Sequence, residues 1–307
     1  MPIGIFLYEI DQSFGPNVLA DYYITKDKVS TGILKEFSEK HIKKDLADAS
    51  GHDEKFRYYS SIIEGKDIKK NTFIGFMLRL EEDIVSLKSI FEKIEERVVT
   101  NFSQDKKKLQ SNLKDILNSI LSLMEKLKEP KIIKETINEK TKKLLDEGKL
   151  QEARELIELI DKKKIPEKLS QEVKLAEDAL KESLYKKSKK SYLKAASLAD
   201  QVRETEMALF LRKKGDRVGD IPDIIKTREA LSKAINKALE ELQDLEFKAY
   251  EDTLPLIDKN IKLSNSLEDN ESIDLFEKLY KSCYNASRRA IDLNKLNKEI
   301  KDITKKL

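Results

Sequence analysis

The sequence predicts an α+β domain followed by an all-helical region, and three observations carry that expectation. Six of the nine glycines, Gly4, Gly15, Gly32, Gly51, Gly65 and Gly75, fall within the first 100 residues, as do twelve of the 21 aromatics. Glycine among β-branched and aromatic residues in short runs reads as strand and turn. Beyond residue 103 the chain is Lys, Glu, Leu, Ile, Ala and Asn in long helical periodicities. The charge also changes: residues 1–100 hold 15 Lys+Arg against 18 Asp+Glu, and the remainder 45 against 39. The expected domains are therefore an α/β domain over 1–102 and a helical region over 103–307.

In the first region Ile3 to Ile10 reads as a strand, ended by the turn signals of Asp11-Gln12-Ser13-Phe14-Gly15-Pro16. Asn17 to Ile24 is a second strand, so the pair is expected to be an antiparallel hairpin. Val29 to Ile42 places Ile33, Leu34, Phe37 and Ile42 on one helical face, entered through Ser30 or Thr31. Phe56 to Ile63 and Thr72 to Leu80 are two more strands. Ile84, Leu87, Phe91, Ile94, Val98 and Phe102 make the apolar stripe of a closing helix. The order is β-β-α-β-β-α, with a fifth strand left unplaced. In the second region Ser103 is the expected N-cap of a helix with the stripe Leu109, Leu113, Ile116, Leu117, Ile120, Met124 and Leu127. Pro130, Pro166 and Pro222 mark helix starts, and Gly148 marks an end. Pro255 starts or kinks another helix. Phe276 to Leu307 is a long amphipathic helix. Leu144 to Arg154, and Tyr192 to Gly215 with its small residues, suggest degenerate tetratricopeptide-like hairpins; an irregular bundle or coiled coil satisfies the same stripes.

Charged residues make up 38% of the chain and hydrophobic residues 39%, which argues against wholesale disorder. A net charge of +3 does not mark a nucleic-acid binder, so nucleic acid is a disfavoured partner. No apolar run reaches the roughly 20 residues of a membrane span, and the first residues lack a basic segment and cleavage site. The single cysteine, Cys283, gives neither an intramolecular disulfide nor a cysteine-cluster metal site. The expectation is a cytoplasmic protein without cofactor or metal.

Catalytic constellations are missing from the pattern. Glu64-Gly65-Lys66-Asp67 lacks the upstream glycine and following Ser or Thr of a phosphate loop. His41 and His52 lack zinc-motif spacing, and His41 is expected to end the first helix as a cation suited to the helix dipole. Cys283 falls on an apolar stripe, and Glu81-Glu82-Asp83 precede a helix, where acids act as caps. Catalysis is not expected. The one concentrated charge signal is Lys186, Lys187, Lys189, Lys190 and Lys194, flanked by Tyr185 and Tyr192. It reads either as an anionic-surface contact, a peripheral membrane above all, or as a solvated helix face.

The run from Ile5 to Ala20, IFLYEIDQSFGPNVLA, together with the α-β-β-α order after it, resembles the longin module, a profilin-like sheet with helices found in trafficking proteins. The likeness is to the opening hairpin of longin domains in nitrogen-permease-regulator and DENN-type proteins, and it spans about residues 1–102. The Lys- and Ile-rich style is in keeping with an archaeal relative. The resemblance implies five strands and a non-enzymatic adaptor or regulator in vesicle trafficking. Its partner would be a small GTPase or a coat or tether component. Tyr8, Gly15, Pro16 and Tyr22 are the hairpin candidates for that partner. Arg57 and Arg79 are the only arginines placed to serve as a finger in GTP hydrolysis, as one does in some relatives. The alternative is a helical scaffold that grips peptides or self-associates as a homo-oligomer.

Overall fold

Short β-rich runs separated by turn residues form the strands. In the computed structural model β1 (Gly4–Asp11), β2 (Gly15–Tyr23), β3 (Asp48–His52), β4 (Phe56–Ile62) and β5 (Thr72–Arg79) make one antiparallel sheet of order β2-β1-β5-β4-β3. Residues 2–11, 13–66, 68–80, 82, 84–161, 163–240 and 248–304 are described. The strand left unplaced by the sequence is β3. Between the hairpin and β3 lies α1 (Thr31–Ser38), capped by Ser30, whose Oγ accepts from the Ile33 amide at 3.3 Å. A single π-helical turn, Glu39–Lys43, continues it.

Both faces of the sheet are covered, so β1 and β5 have almost no outward positions. On one face Ile5, Leu7, Tyr59, Ile74, Phe76 and Leu78 pack with Leu87, Phe91, Ile94 and Val98 of α2 (Val85–Thr100). On the other, Phe6, Tyr8, Tyr58, Phe73 and Met77 pack with Ile33, Leu34 and Phe37 of α1. Cross-strand partners share a face, as Ile5 with Phe76 and Tyr8 with Phe73. Gly75 lies opposite Phe6, and a Cβ there would stand 2.2 Å from the ring, so only glycine admits the aromatic.

Helices alone follow the sheet's last strand among the described residues, and α2 is the first of them. They continue with α3 (Lys106–Lys128), α4 (Pro130–Asp146), α5 (Leu150–Asp161), α6 (Ile165–Lys181), α7 (Tyr185–Gln201) and α8 (Thr205–Glu240). After residues 241–247 come α9 (Lys248–Ser266) and α10 (Asn270–Thr304), which brings the helices after the sheet to nine among the described residues. Leu109, Leu113, Ile116, Leu117 and Ile120 of α3 enter the same core as the sheet and α2. The cap of α3 is Asp105 rather than Ser103, its carboxylate accepting from the Lys107 amide. Pro130 and Pro166 lie in first turns as expected, Pro222 lies inside α8 instead of starting a helix, and Pro255 lies inside α9, within the expectation that it starts or kinks one. Packing divides the chain into two compact units, Met1–Asp220 and Ile221–Leu307.

The junctions α4–α5, α6–α7 and α7–α8 turn through one device. At Gly148, Ser183 and Arg203 the backbone is left-handed (φ +74°, +58° and +59°). Each of these residues donates its amide three residues back, and the next residue donates five back, as with Ser183 to Leu180 and Leu184 to Ala179. This pattern satisfies carbonyls that the helix end leaves open. Between α7 and α8 the packing is close, because a Cβ on Gly215 would lie 3.1 Å from Tyr192 Cβ.

Candidate interaction surface

With both faces covered, the sheet presents its backbone at its two borders, β2 and β3. The β3 border is occupied from within the chain. Lys40, buried in the π-helical turn, donates to the Ser50 carbonyl at 2.6 Å and to Glu36 at 2.7 Å. The Glu36 carboxylate stands so near Gly51 that a Cβ there would lie 3.1 Å from it. A charged side chain laid along a short outer strand blunts strand addition. On β2, Gln110 of α3 donates to the Asp21 carbonyl at 3.0 Å, which occupies the far end of that border.

The near end, at the β1–β2 turn, is different. The Asp11 carboxylate accepts from the Ser13 and Phe14 amides at 2.7 and 3.0 Å, which holds its pKa below the usual carboxylate value. Gly15 follows at φ +84°, a conformation that favours glycine. The result is a locally fixed tip on which Phe14 is 93% exposed, followed by Pro16, whose missing N–H spares the border one donor. Phe14 was not among the residues that the sequence singled out. Its signal was present, as an aromatic inside a run of turn residues.

The other expected site residues fall in several places. Gly15 and Pro16 form the tip with Phe14. Tyr22 is half-buried on the α2/α3 side, with the Lys114 ammonium 5.9 Å from its ring. Tyr8 is a core residue and not a surface one: α1 covers its face of the sheet, and burial pushes its phenol well up. Its hydroxyl lies 2.7 Å from Ser60 Oγ, which lies 3.0 Å from His41 Nε2; His41 Nδ1 is 2.6 Å from the Leu46 carbonyl. A carbonyl only accepts, so Nδ1 carries a proton, and because burial disfavours a second one, Nε2 accepts from Ser60 and Ser60 from Tyr8. His41 is thus neutral rather than the expected helix-end cation. Burial brings its pKa down to about 4, against smaller opposing effects of Leu46 and Asp48. The Ser–His pair faces no solvent and holds the π-helical turn to β4.

Arg57 is half-buried and donates to the Glu82 carbonyl at 2.9 Å. Arg79 stands across from Phe56 at the exposed end of β5. Arg79 also lines a cavity of about 580 Å³ with Glu82, Lys128, Glu177, Lys181 and Lys214. Lys214 there is 3.9 Å from Glu177 and 5.0 Å from the Tyr192 ring centroid, so the walls carry both signs of charge. On α7, Lys186, Lys187 and Lys190 are exposed, whereas Lys189 pairs with Asp216 at 3.2 Å and Lys194 pairs with Glu172. Helices α6 and α8 thus bring carboxylates to a cluster that looks unbalanced in the sequence. Cys283 is buried, which pushes its thiol up. Among the described residues no group of His, Cys, Asp and Glu could hold a metal ion, and no helix is long and apolar enough to cross a membrane.

No family model, no curated protein and no solved structure matches this chain.

Proposed function

We propose that the chain is a non-enzymatic adaptor whose sheet module docks a protein partner through the tip and near border of the β1–β2 hairpin. The observation that carries this reading is Phe14, held out by a carboxylate-fixed turn on a sheet whose faces and whose β3 border are already occupied. A rigid exposed aromatic supplies apolar contact area at little entropic cost, and the adjoining outer strand offers backbone groups to a partner strand. Five strands with helices on both faces support the longin resemblance, and so the partner class it implies: a small GTPase or a coat or tether component. The helix hairpins α4–α5 and α6–α7, closed by a repeated turn, support a tetratricopeptide-like array behind the module. The packing of His41 and Cys283 within cores supports an adaptor over an enzyme. The exposed Lys186, Lys187 and Lys190 would add a peripheral contact with anionic lipid, at a cytoplasmic membrane surface. The test is titration of the full chain against a panel of small GTPases carrying GDP or a non-hydrolysable GTP analogue. Binding to at least one member, lost in Phe14→Asp, supports the reading. Uniform absence of binding overturns the GTPase assignment, and binding indifferent to Phe14→Asp overturns the hairpin surface.

A further inference from the structure

Helix α10 ends in a segment with nothing of its own chain upon it among the described residues. Ile273, Cys283, Ser287 and Ala290 are buried, and every residue from Ile291 to Thr304 is exposed. Within that length Leu293, Leu296, Ile300 and Ile303 are 44% to 61% exposed. Their spacing is three, four, three, and in sequence Leu307 extends it by four more. That is the 3.5-residue period with which one helix meets another along a seam, Leu293 and Ile300 at the first apolar position of the heptad and Leu296 and Ile303 at the second. Ile291 falls outside the seam.

We infer that this stripe pairs in parallel with the same stripe of a second copy of the chain. The charges on the segment select that occupant. Lys295, Lys298 and Lys301 are interspersed with Asp292, Glu299 and Asp302, so the described segment lacks the single-signed basic face of a helix that lies on an anionic membrane, although Lys305 and Lys306 follow it in sequence. One flank of the seam carries Asp292 and Glu299, and the other carries Asn297 and Thr304. A parallel pair sets Asp292 of one copy beside Asn297 of the other, and Glu299 beside Thr304, so no like charges meet. An antiparallel pair sets the acidic flanks against each other, which costs stability. The seam described is two heptads, about 21 Å at 1.5 Å per residue, so the pairing is concentration-dependent rather than permanent.

The test is sedimentation equilibrium of the full-length chain over a concentration series. The wild type rises from 35.5 kDa toward twice that mass with concentration. Ile300→Asp, at an exposed position where folding is not at stake, weakens the association at least tenfold. Asn297→Lys creates two symmetric ion pairs with Asp292 and tightens it by about fivefold. A wild type that stays at 35.5 kDa up to millimolar concentration overturns the inference. So does an association unchanged by Ile300→Asp, which lies elsewhere, or one loosened by Asn297→Lys, which is not parallel.

Discussion

Around β1 and β5 the core is filled by Phe6, Tyr8, Phe37, Phe73 and Phe76, whereas α8 meets α7 through Gly215 on Tyr192 Cβ, in a core that also holds Ala195, Ala196 and Ala199. The first packing depends on large rings fitting a few fixed places across strands far apart in sequence. The second depends on small side chains that let backbones approach, between helices adjacent in sequence. The contrast teaches where each region tolerates change. A ring-filled sheet has no slack at the position facing a ring, while a helix pair closed by small residues yields by a few tenths of an ångström.

The sharpest break of that comparison is a matched pair of glycine replacements. Gly75→Ala drives a methyl into the Phe6 ring and is expected to cost about 3 kcal/mol in urea unfolding. Gly215→Ala meets Tyr192 Cβ at 3.1 Å but gains helix propensity, and its net effect is expected to stay within about 1 kcal/mol. Equal costs at the two sites would remove the distinction.

The next largest effect belongs to the polar relay, a device of the sheet region. His41 has its folded-state pKa depressed from 6.5 to about 4. The folded state therefore binds fewer protons than the unfolded chain between those values. The contribution is present above pH 6.5 and is lost as pH falls toward 4. Between pH 7 and pH 5 the loss is expected to be about 2 kcal/mol. His41→Gln, though less stable at pH 7, should show a flatter stability profile across that window. Asp48 and Lys40 are the charges that act on His41, the first raising its pKa and the second lowering it. Identical slopes in the two proteins would show that His41 does not titrate as described.

Much of this architecture is legible in the sequence, and the parts that are not have physical reasons. The β1–β2 hairpin, β4, β5, α2 and the helical stripes follow from periodicity because each buries a continuous face. Strand β3, Asp-Ala-Ser-Gly-His, has no such face; its small residues accommodate the Lys40 and Glu36 side chains instead of forming an apolar row. The outward positions that alternation implies for Tyr8 do not exist, because α1 and α2 with α3 cover both faces. Helical spacing points His41 along α1, but the π-helical turn aims it at Ser60. The repeated helix turns are hidden for a simpler reason: only one of the left-handed residues, Gly148, is a glycine. The candidate surface was half legible. Gly15 and Pro16 announced the turn, while the exposure of Phe14 follows from the Asp11 carboxylate holding the two amides before it.

That last point yields a smaller prediction within the helical region. Ser183 sits at φ +58°, where glycine carries no steric cost. Ser183→Gly should be stabilising by about 0.5 kcal/mol in thermal or urea unfolding. A loss of stability would mean that the turn relies on the serine side chain.

The smallest effect on stability is expected at the position on which the proposed docking rests. Phe14→Asp leaves the urea midpoint unchanged within about 0.5 kcal/mol, because the ring touches little of its own chain. The direct measurement is therefore partner affinity and folding stability on the same Phe14→Asp protein, using the GTPase panel in both nucleotide states. Lost binding at unchanged stability is the outcome expected of a hairpin tip that docks a partner. A fully folded variant that binds as the wild type does, or a wild type that binds no member of the panel, would contradict it.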